Sequence, residues 1–477
     1  MADIDRKPSP EEISQDRIPD LIRIGEIPSE YGQILQTDII DPATKSQSKA
    51  RFTLNRVAGF LHSNSKITLG CVPTTNARSY FPLQIGVGQL IKSAELRIGS
   101  QTVCSVQDFP SLHAYHSLFL TNENNREREQ YLSQRAINHG PYYTFGSDTS
   151  APAFGIDLGR YPADNGAGLH QTQLLPFQVN DATDAQSVSE APVYSIYLSD
   201  LFPFLKFNQL PAFMIKDEIH IDLTFADETT SLAGADNSNR MCCALGQTAN
   251  VSYPIDLDEL KLIYDSISYD GEIMRKYEEQ NKTLSFSYVD YRIAKRQQAA
   301  GSFNDFSMNI GGNGRLVSKV IAGVQKNNNY LSQSLLLGDG TSKASDAVAS
   351  LAVNLNYNDR DEFPQDRTNE ALQFHTTQQA EGQVPFVARA EYSAQGPNSI
   401  TNGRFEGHIQ NDEVRGLYKD FKWVAIKPNR NERINNKGIT LMYDTNDLGA
   451  GDYTLRVYLE LLKVATIKDG RFDCYFA

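Results

Sequence analysis

Ile219, Ile221, Leu223 and Phe225 alternate with His220, Asp222 and Thr224. A side-chain period of two puts the four apolar residues on one face of a strand. The same pattern recurs late in the chain. Leu455, Val457, Leu459 and Leu461 alternate there with Arg456, Tyr458 and Glu460. These eight apolar residues are expected to line cores. Leu260, Leu262 and Tyr264 carry a shorter version, as do Leu284, Phe286 and Tyr288. Ala94-Glu95-Leu96-Arg97-Ile98 alternates apolar with charged and suits a half-buried strand. Strand-like runs also cover 51–60, 66–71, 81–98 and 421–426.

Helical signals are few. Asp108-Phe109-Pro110-Ser111 reads as a helix start with Pro just inside the cap. Its continuation toward Arg135 would present Asn125-Arg126-Glu127-Arg128-Glu129 as a solvated face. Residues 270–281 (DGEIMRKYEEQN) read as a short charged helix. Polar loops are expected at 138–192, 226–255, 325–347, 357–383 and 394–413. The balance of strands over helices argues for all-β sandwiches or jelly rolls rather than an α/β fold.

Length then divides the chain. A single core rarely grows past ~250–300 residues, and this chain has 477. We read a flexible arm at 1–28, a first β unit at 29–268, a linker helix at 269–282 and a second β unit at 283–477. A weak internal repeat fits two copies of one architecture. Ile85-Gly-Val-Gly-Gln-Leu-Ile-Lys-Ser echoes Ile310-Gly-Gly-Asn-Gly-Arg-Leu-Val-Ser, and each half closes on a strongly alternating strand, 219–225 or 455–461.

Hydrophobic residues make up 40% and charged residues 22%, an ordinary globular balance. The net charge is −13. Residues 1–20 hold six acidic side chains against Arg6, Lys7 and Arg17. Such an arm repels phosphate, so direct nucleic-acid contact is not expected. The first 20 residues are too polar for a signal peptide, and no 18-residue apolar run suggests a membrane span. Cys71, Cys104, Cys242, Cys243 and Cys474 are odd in number and form no C-x-x-C, so they read as buried or incidental thiols. A reducing, cytosol-like site of folding follows.

The search for chemistry assigns no catalytic, cofactor-binding or metal residue. His113 and His116 share a helix face at i, i+3, but no neighbouring carboxylate completes a ligand set. Gly338-Asp339-Gly340-Thr341-Ser342-Lys343 lacks phosphate-loop spacing. Asp444, Asn446 and Asp447 ahead of Gly449 lack the glutamate that ends a calcium loop. No nucleophile elbow and no H-E-x-x-H occurs.

Several stretches, in order along most of the chain, resemble the double jelly-roll major capsid proteins of double-stranded DNA viruses. That lineage includes nucleocytoplasmic large DNA viruses, virophages and Polinton-like viruses. Residues 91–103 (IKSAELRIGSQTV) resemble its strand ending in an I-G-G-Q-like turn, here Ile98-Gly99-Ser100-Gln101. Residues 198–205 (LSDLFPFL), Leu210-Pro211 and the strand at 219–225 resemble its L-P-L segment and the strand after it, though that motif is degenerate here. Residues 258–276 (DELKLIYDSISYDGEIMRK) resemble the strand and charged helix that close the first roll. Residues 418–426 (YKDFKWVAI) and 452–476 (DYTLRVYLELLKVATIKDGRFDCYF) resemble the last strands of the second. Lys468-Asp469-Gly470 stands where the family has a P-S-G turn.

The resemblance implies two consecutive eight-stranded antiparallel jelly rolls with short inserted helices and long loops. It further implies a homotrimeric, pseudo-hexameric capsomer tiling an icosahedral shell, with the loops at 138–192 and 325–415 forming outward towers. Neighbouring capsomers, penton proteins and minor or cement proteins would be the partners, and an internal membrane can lie beneath the shell. The protein would be made in an infected cell and reside in the virion. The alternative is a carbohydrate-binding or carbohydrate-active jelly roll. Such proteins stack sugars on Trp platforms, and Trp423 is the only Trp here.

Overall fold

A computed structural model describes residues 33–54, 57–70, 79–80, 86–117, 119, 132–133, 193–207, 210–226, 243–244, 254–298, 307–311, 313–326, 350–368, 370–382, 423–429, 432–436, 438–446 and 453–477. The expected arm at 1–28 and the loops at 138–192 and 394–413 lie outside these residues, as do Gly338 to Lys343, Asp447 and Gly449.

In the first half the longer strands are β1 Gln33–Ile40, β2 Lys49–Leu54, β3 Lys66–Leu69, β4 Ile91–Ile98, β5 Gln101–Gln107, β6 Tyr194–Tyr197, β7 Ile219–Phe225 and β8 Lys261–Tyr269. They build two sheets in the orders β1-β8-β3-β6 and β2-β7-β4-β5. First pairs with last, second with seventh, third with sixth and fourth with fifth, all antiparallel. The chain is therefore one long hairpin wound so that alternate pairs fall in opposite sheets, which is a jelly roll.

The second half repeats that winding. Its strands are β9 Thr283–Gln298, β10 Ser307–Asn309, β11 Val317–Lys326, β12 Ser350–Tyr357, β13 Arg360–Asp361, β14 Val424–Ile426, β15 Ile439–Asn446 and β16 Tyr453–Lys468. The orders are β9-β16-β11-β14 and β10-β15-β12-β13. The sheets carry additions to the expected eight strands. Thr44–Lys45 pairs with β2 at the sheet edge, Phe60–Leu61 pairs with β8, and β17 Arg471–Phe476 pairs with β16. The turn before β17 is Asp469-Gly470, with φ of 52° and 83°. Positive φ at both positions is the I′ geometry that Asp-Gly favours in two-residue hairpins.

Among the described residues, five short α-helices interrupt the strands: α1 Phe109–Ser117, α2 Leu198–Leu201, α3 Pro203–Phe207, α4 Gly271–Gln280 and α5 Glu370–Glu381. Asp270 caps α4 by accepting from the Glu272 amide at 2.9 Å. Ile273, Met274 and Tyr277 of α4 lean on Phe60, Ile267 and Tyr269. Among the described residues, no sheet mixes strands from before and after α4.

The eight residues expected in the cores are all buried. Strand β7 alternates strictly between buried and half-buried positions. Leu223 sits between two small neighbours, opposite Ala50 on β2 and Ala94 on β4. Leu223→Ala should therefore cost ~2–5 kcal/mol, since three alanines in a row leave a cavity that the rigid sheet cannot collapse. Urea denaturation would measure it, and a loss under ~1 kcal/mol would show the site repacks.

Three expectations need correction. Residues 357–383 are not a loop: they hold β13 and α5, and within the reading of 325–415 as a tower the chain also forms β12. The Gly-rich repeat joins unlike places, since 85–93 leads into the fourth strand of one roll and 310–318 into the third strand of the other. The two alternating strands are likewise unmatched. Strand β7 is seventh in its roll, whereas 455–461 lies in the eighth, β16. Alternation reports a half-buried face, and that property is not tied to one strand of the winding.

Candidate functional site

Strand β16 is buried at every position from Tyr453 to Leu461. Arg456, Tyr458 and Glu460, between the inward-facing apolar residues, are buried as well. The odd-numbered residues pack inside the second roll against Val320, Val324 and Leu441. On the other face, Tyr458 joins Ile321, Trp423 and Ala425 in a core shared with Tyr115 and Phe204 of the first roll. The first roll thus docks its β5 side, α1 and α3 on the outer face of the sheet β9-β16-β11-β14. That joint is the one extensively built polar and apolar site in the described residues.

Its charges are buried and paired. Asp108 follows β5 with φ 54°. Its Oδ2 accepts from Arg456 Nε at 2.7 Å and lies 2.6 Å from Lys295 Nζ. Tyr458 donates its hydroxyl to the Asp108 carbonyl at 2.8 Å. Further along, Lys463 Nζ donates to Asp290 at 2.8 Å and to the carbonyls of Thr102 and Val103. The Ser105 amide closes the loop by donating to Asp290 Oδ1 at 3.0 Å. Burial pushes the Asp290 carboxyl above the usual carboxylate range, against the pull of Lys463 and two backbone amides.

A third cluster centres on Lys319, which reaches Glu381 of α5 at 2.8 Å and Glu460 at 3.2 Å. Tyr115 of the first roll donates to Glu381, and Tyr291 donates to Glu460, each at 2.9 Å. Burial pulls the Lys319 ammonium down, but Glu460 and Glu381 outweigh it and leave its pKa above the ordinary lysine value. Burial, then Glu460, raises the Tyr291 phenol well above normal. A charge in this setting without its partners would cost several kcal/mol, so each cluster fixes how the rolls sit together.

The candidates from sequence fall differently. His113 is buried and stacks on Phe109 at 4.6 Å, while His116 lies 3.4 Å from the Tyr291 hydroxyl. His116 thus faces the joint and His113 packs within α1, and no group of three or more His, Cys, Asp or Glu among the described residues could hold a metal. Asp444 and Asn446 belong to β15. Cys104 is a buried free thiol and Cys474 a half-buried one. Trp423 is 1% exposed between Tyr115 and Tyr458, with ring centroids 5.8 and 6.4 Å away. It cannot serve as a sugar platform. A cleft of about 600 Å³ opens between β5 and β9, lined by Gln101, Ser105, Arg292 and Phe476 among others. The sequence pattern marks Asp108 only as a helix start and gives no sign of Asp290, Lys319 or Lys463. Its one available signal was Leu461-Leu462, where alternation in β16 breaks and both strand faces turn apolar.

Two like-wound rolls in series, locked by a covered sheet face, define a double jelly-roll protein. Solved structures that the chain resembles include capsid proteins of several viruses. The chain matches the mavirus major capsid protein with a TM-score of 0.52 and 10% identity, over 100% of this chain and 96% of that one. It matches a Sputnik virophage chain with a TM-score of 0.54 and 10% identity, over 94% and 89%. A chain of the PBCV-1 virus capsid matches with a TM-score of 0.53 and 11% identity, over 94% and 97%. No family model matches the sequence, and no curated protein matches it. At such identities the likeness is one of fold.

Proposed function

We propose that this chain is the major capsid protein of a double-stranded DNA virus, acting by assembly rather than catalysis. The observation that carries the reading is end-to-end agreement: both rolls, in order, match virus capsid chains over nearly the full length of each partner. The joint supports it. A shell tile must hold its two barrels in one fixed relation, and the joint has the means: Asp108 pairs with Lys295 and Arg456 across it, and Asp290, Lys463 and Glu381 bond to Ser105, Thr102, Val103 and Tyr115 of the first roll. The division into an arm at 1–28, rolls at 29–268 and 283–477 and a linker at 269–282 fits α4 and the unmixed sheets.

In this reading three chains supply six rolls and form a pseudo-hexameric capsomer. The capsomer contacts its neighbours, penton proteins and minor or cement proteins in an icosahedral virion. It does not touch the genome, which agrees with a net charge of −13. Light scattering on the purified protein should give about 160 kDa, three times the 53.2 kDa chain, at submicromolar concentration. A persistent monomer with no tendency to form shells would overturn the reading.

A further inference from the structure

The cleft of about 600 Å³ between the rolls has β5 of the first on one wall and β9, β16 and β17 of the second on the other. That volume suits a small molecule. Three cations stand around Phe476, which lines it. Arg315 Cζ lies 3.9 Å from the ring centroid, Lys463 Nζ 4.7 Å and Arg292 Cζ 5.9 Å. Lys463 has its counter-charge, since Asp290 meets it at 2.8 Å. The two arginines do not. Among the described residues neither guanidinium forms an ion pair or a hydrogen bond, and Arg315 Nη1 is buried with no acceptor. Burial first and the charge of Arg292 second hold the Arg315 pKa below the usual arginine value, with Asp290 pulling the other way. Asp290 is the one carboxylate among the described lining residues. It is already engaged by Lys463 and by the Ser105 and Tyr291 amides. Two like charges close together, one of them partly desolvated, are costly unless an anion joins them.

The fold holds the pair in place. Arg292 sits within β9, opposite Leu459, and the Arg315 carbonyl accepts from the Ile434 amide at 2.9 Å. Across the cleft stand Gln101 and Gln107 of β5, whose side-chain amides can donate to the same ligand. We propose that the cleft binds a phosphate group of a small free ligand, inorganic phosphate or a short polyphosphate, on Arg292, with Arg315 supplying a second charge. A guanidinium fork matches two phosphate oxygens, and a dianion answers two arginines where a single carboxylate answers one. A ligand held by both walls touches both rolls and so stabilises their joint. Duplex DNA is a poor occupant, because a chain of net charge −13 repels a long polyanion. The site does not depend on the trimer reading.

The test is calorimetric titration of the wild-type protein with pyrophosphate, at an ionic strength held constant with chloride. Binding at about millimolar pyrophosphate or tighter is expected. Arg292→Gln should weaken it roughly 10-fold or more, because a charge-assisted fork is lost. Arg292 is exposed, so this variant should keep its circular dichroism spectrum. Arg315→Gln should weaken binding as well, whereas Lys49→Gln, an exposed change on β2, should not. Pyrophosphate should also slow alkylation of Cys474, which lines the cleft, in wild type but not in Arg292→Gln, as read by peptide mass mapping. No binding and no protection in wild type, or an affinity unchanged in Arg292→Gln, overturns the proposal. Displacement of pyrophosphate by duplex DNA overturns it in favour of a nucleic-acid surface. If Arg315→Gln misfolds, Arg292→Gln decides.

Discussion

Lys319→Met should cost about 3–5 kcal/mol at neutral pH, more than its modest change in volume suggests. The ammonium lies between Glu381 at 2.8 Å and Glu460 at 3.2 Å, and all three side chains are at most 10% exposed. Removing it leaves two buried carboxylates facing each other with only the Tyr115 and Tyr291 hydroxyls as donors. Guanidinium denaturation of wild type and variant would measure the loss. Two features separate an electrostatic cause from lost packing. The deficit should shrink in acid, where one carboxylate takes up a proton and the repulsion ends. A triple variant with Glu381→Leu and Glu460→Leu should also recover most of the loss, because an apolar replacement of the whole cluster strands no charge. The wild-type sign is set by the lysine. Its pKa is raised in the folded state, so its contribution is complete below the unfolded value of about 10.5 and is lost as pH rises through the folded one. A single variant as stable as wild type would show that the cluster does not hold the rolls together.

That cluster also shows where sequence reading stops. Ile219 to Phe225 and Leu455 to Leu461 announce strands and their inner faces directly, because a half-buried sheet writes its period into the chain. Asp270 ahead of GEIMRKYEEQ announces α4 through its cap. The outer face of β16 is another matter. Arg456, Tyr458 and Glu460 are what a solvated face would carry, yet they are buried because the first roll, far away in sequence, brings Asp108 to meet Arg456 and Tyr458, while Tyr291 on the paired strand β9 donates to Glu460. Local pattern records polarity and not the partner that satisfies it. The helix at 370–381 was missed for a related reason. Its sequence, EALQFHTTQQAE, has only Leu372 and Phe374 as large apolar side chains and no sustained apolar stripe, and what holds it is tertiary: Gln373 donates to the Leu351 and Arg367 carbonyls, and Thr377 accepts from the Ala425 amide. The winding order was likewise invisible, since strand pairing at separations above 200 residues leaves no periodic trace.

Gly323→Ala should destabilise the joint by more than the ~1–3 kcal/mol of ordinary overpacking. A Cβ on Gly323 would stand 2.0 Å from Cδ2 and 2.3 Å from Cε2 of Trp423. The indole cannot retreat, because Tyr115 and Tyr458 flank it at 5.8 and 6.4 Å and it is 1% exposed. Glycine is therefore fixed here by a neighbour's volume rather than by backbone conformation. Trp423→Ala should by itself cost ~3–5 kcal/mol for the cavity it leaves. The double variant tests the contact: with the indole gone, the added methyl has room, so the two losses should fall short of additive by more than 1 kcal/mol. Because Trp423 is the only tryptophan, its fluorescence reads the joint without interference. In Gly323→Ala the emission should shift to the red at denaturant concentrations where circular dichroism still shows folded strands, since Trp423 is wedged between the rolls and reaches water when they part. Coincident transitions by the two probes, with additive losses, would mean that Gly323 and Trp423 stabilise the second roll alone and that the joint does not open as a unit.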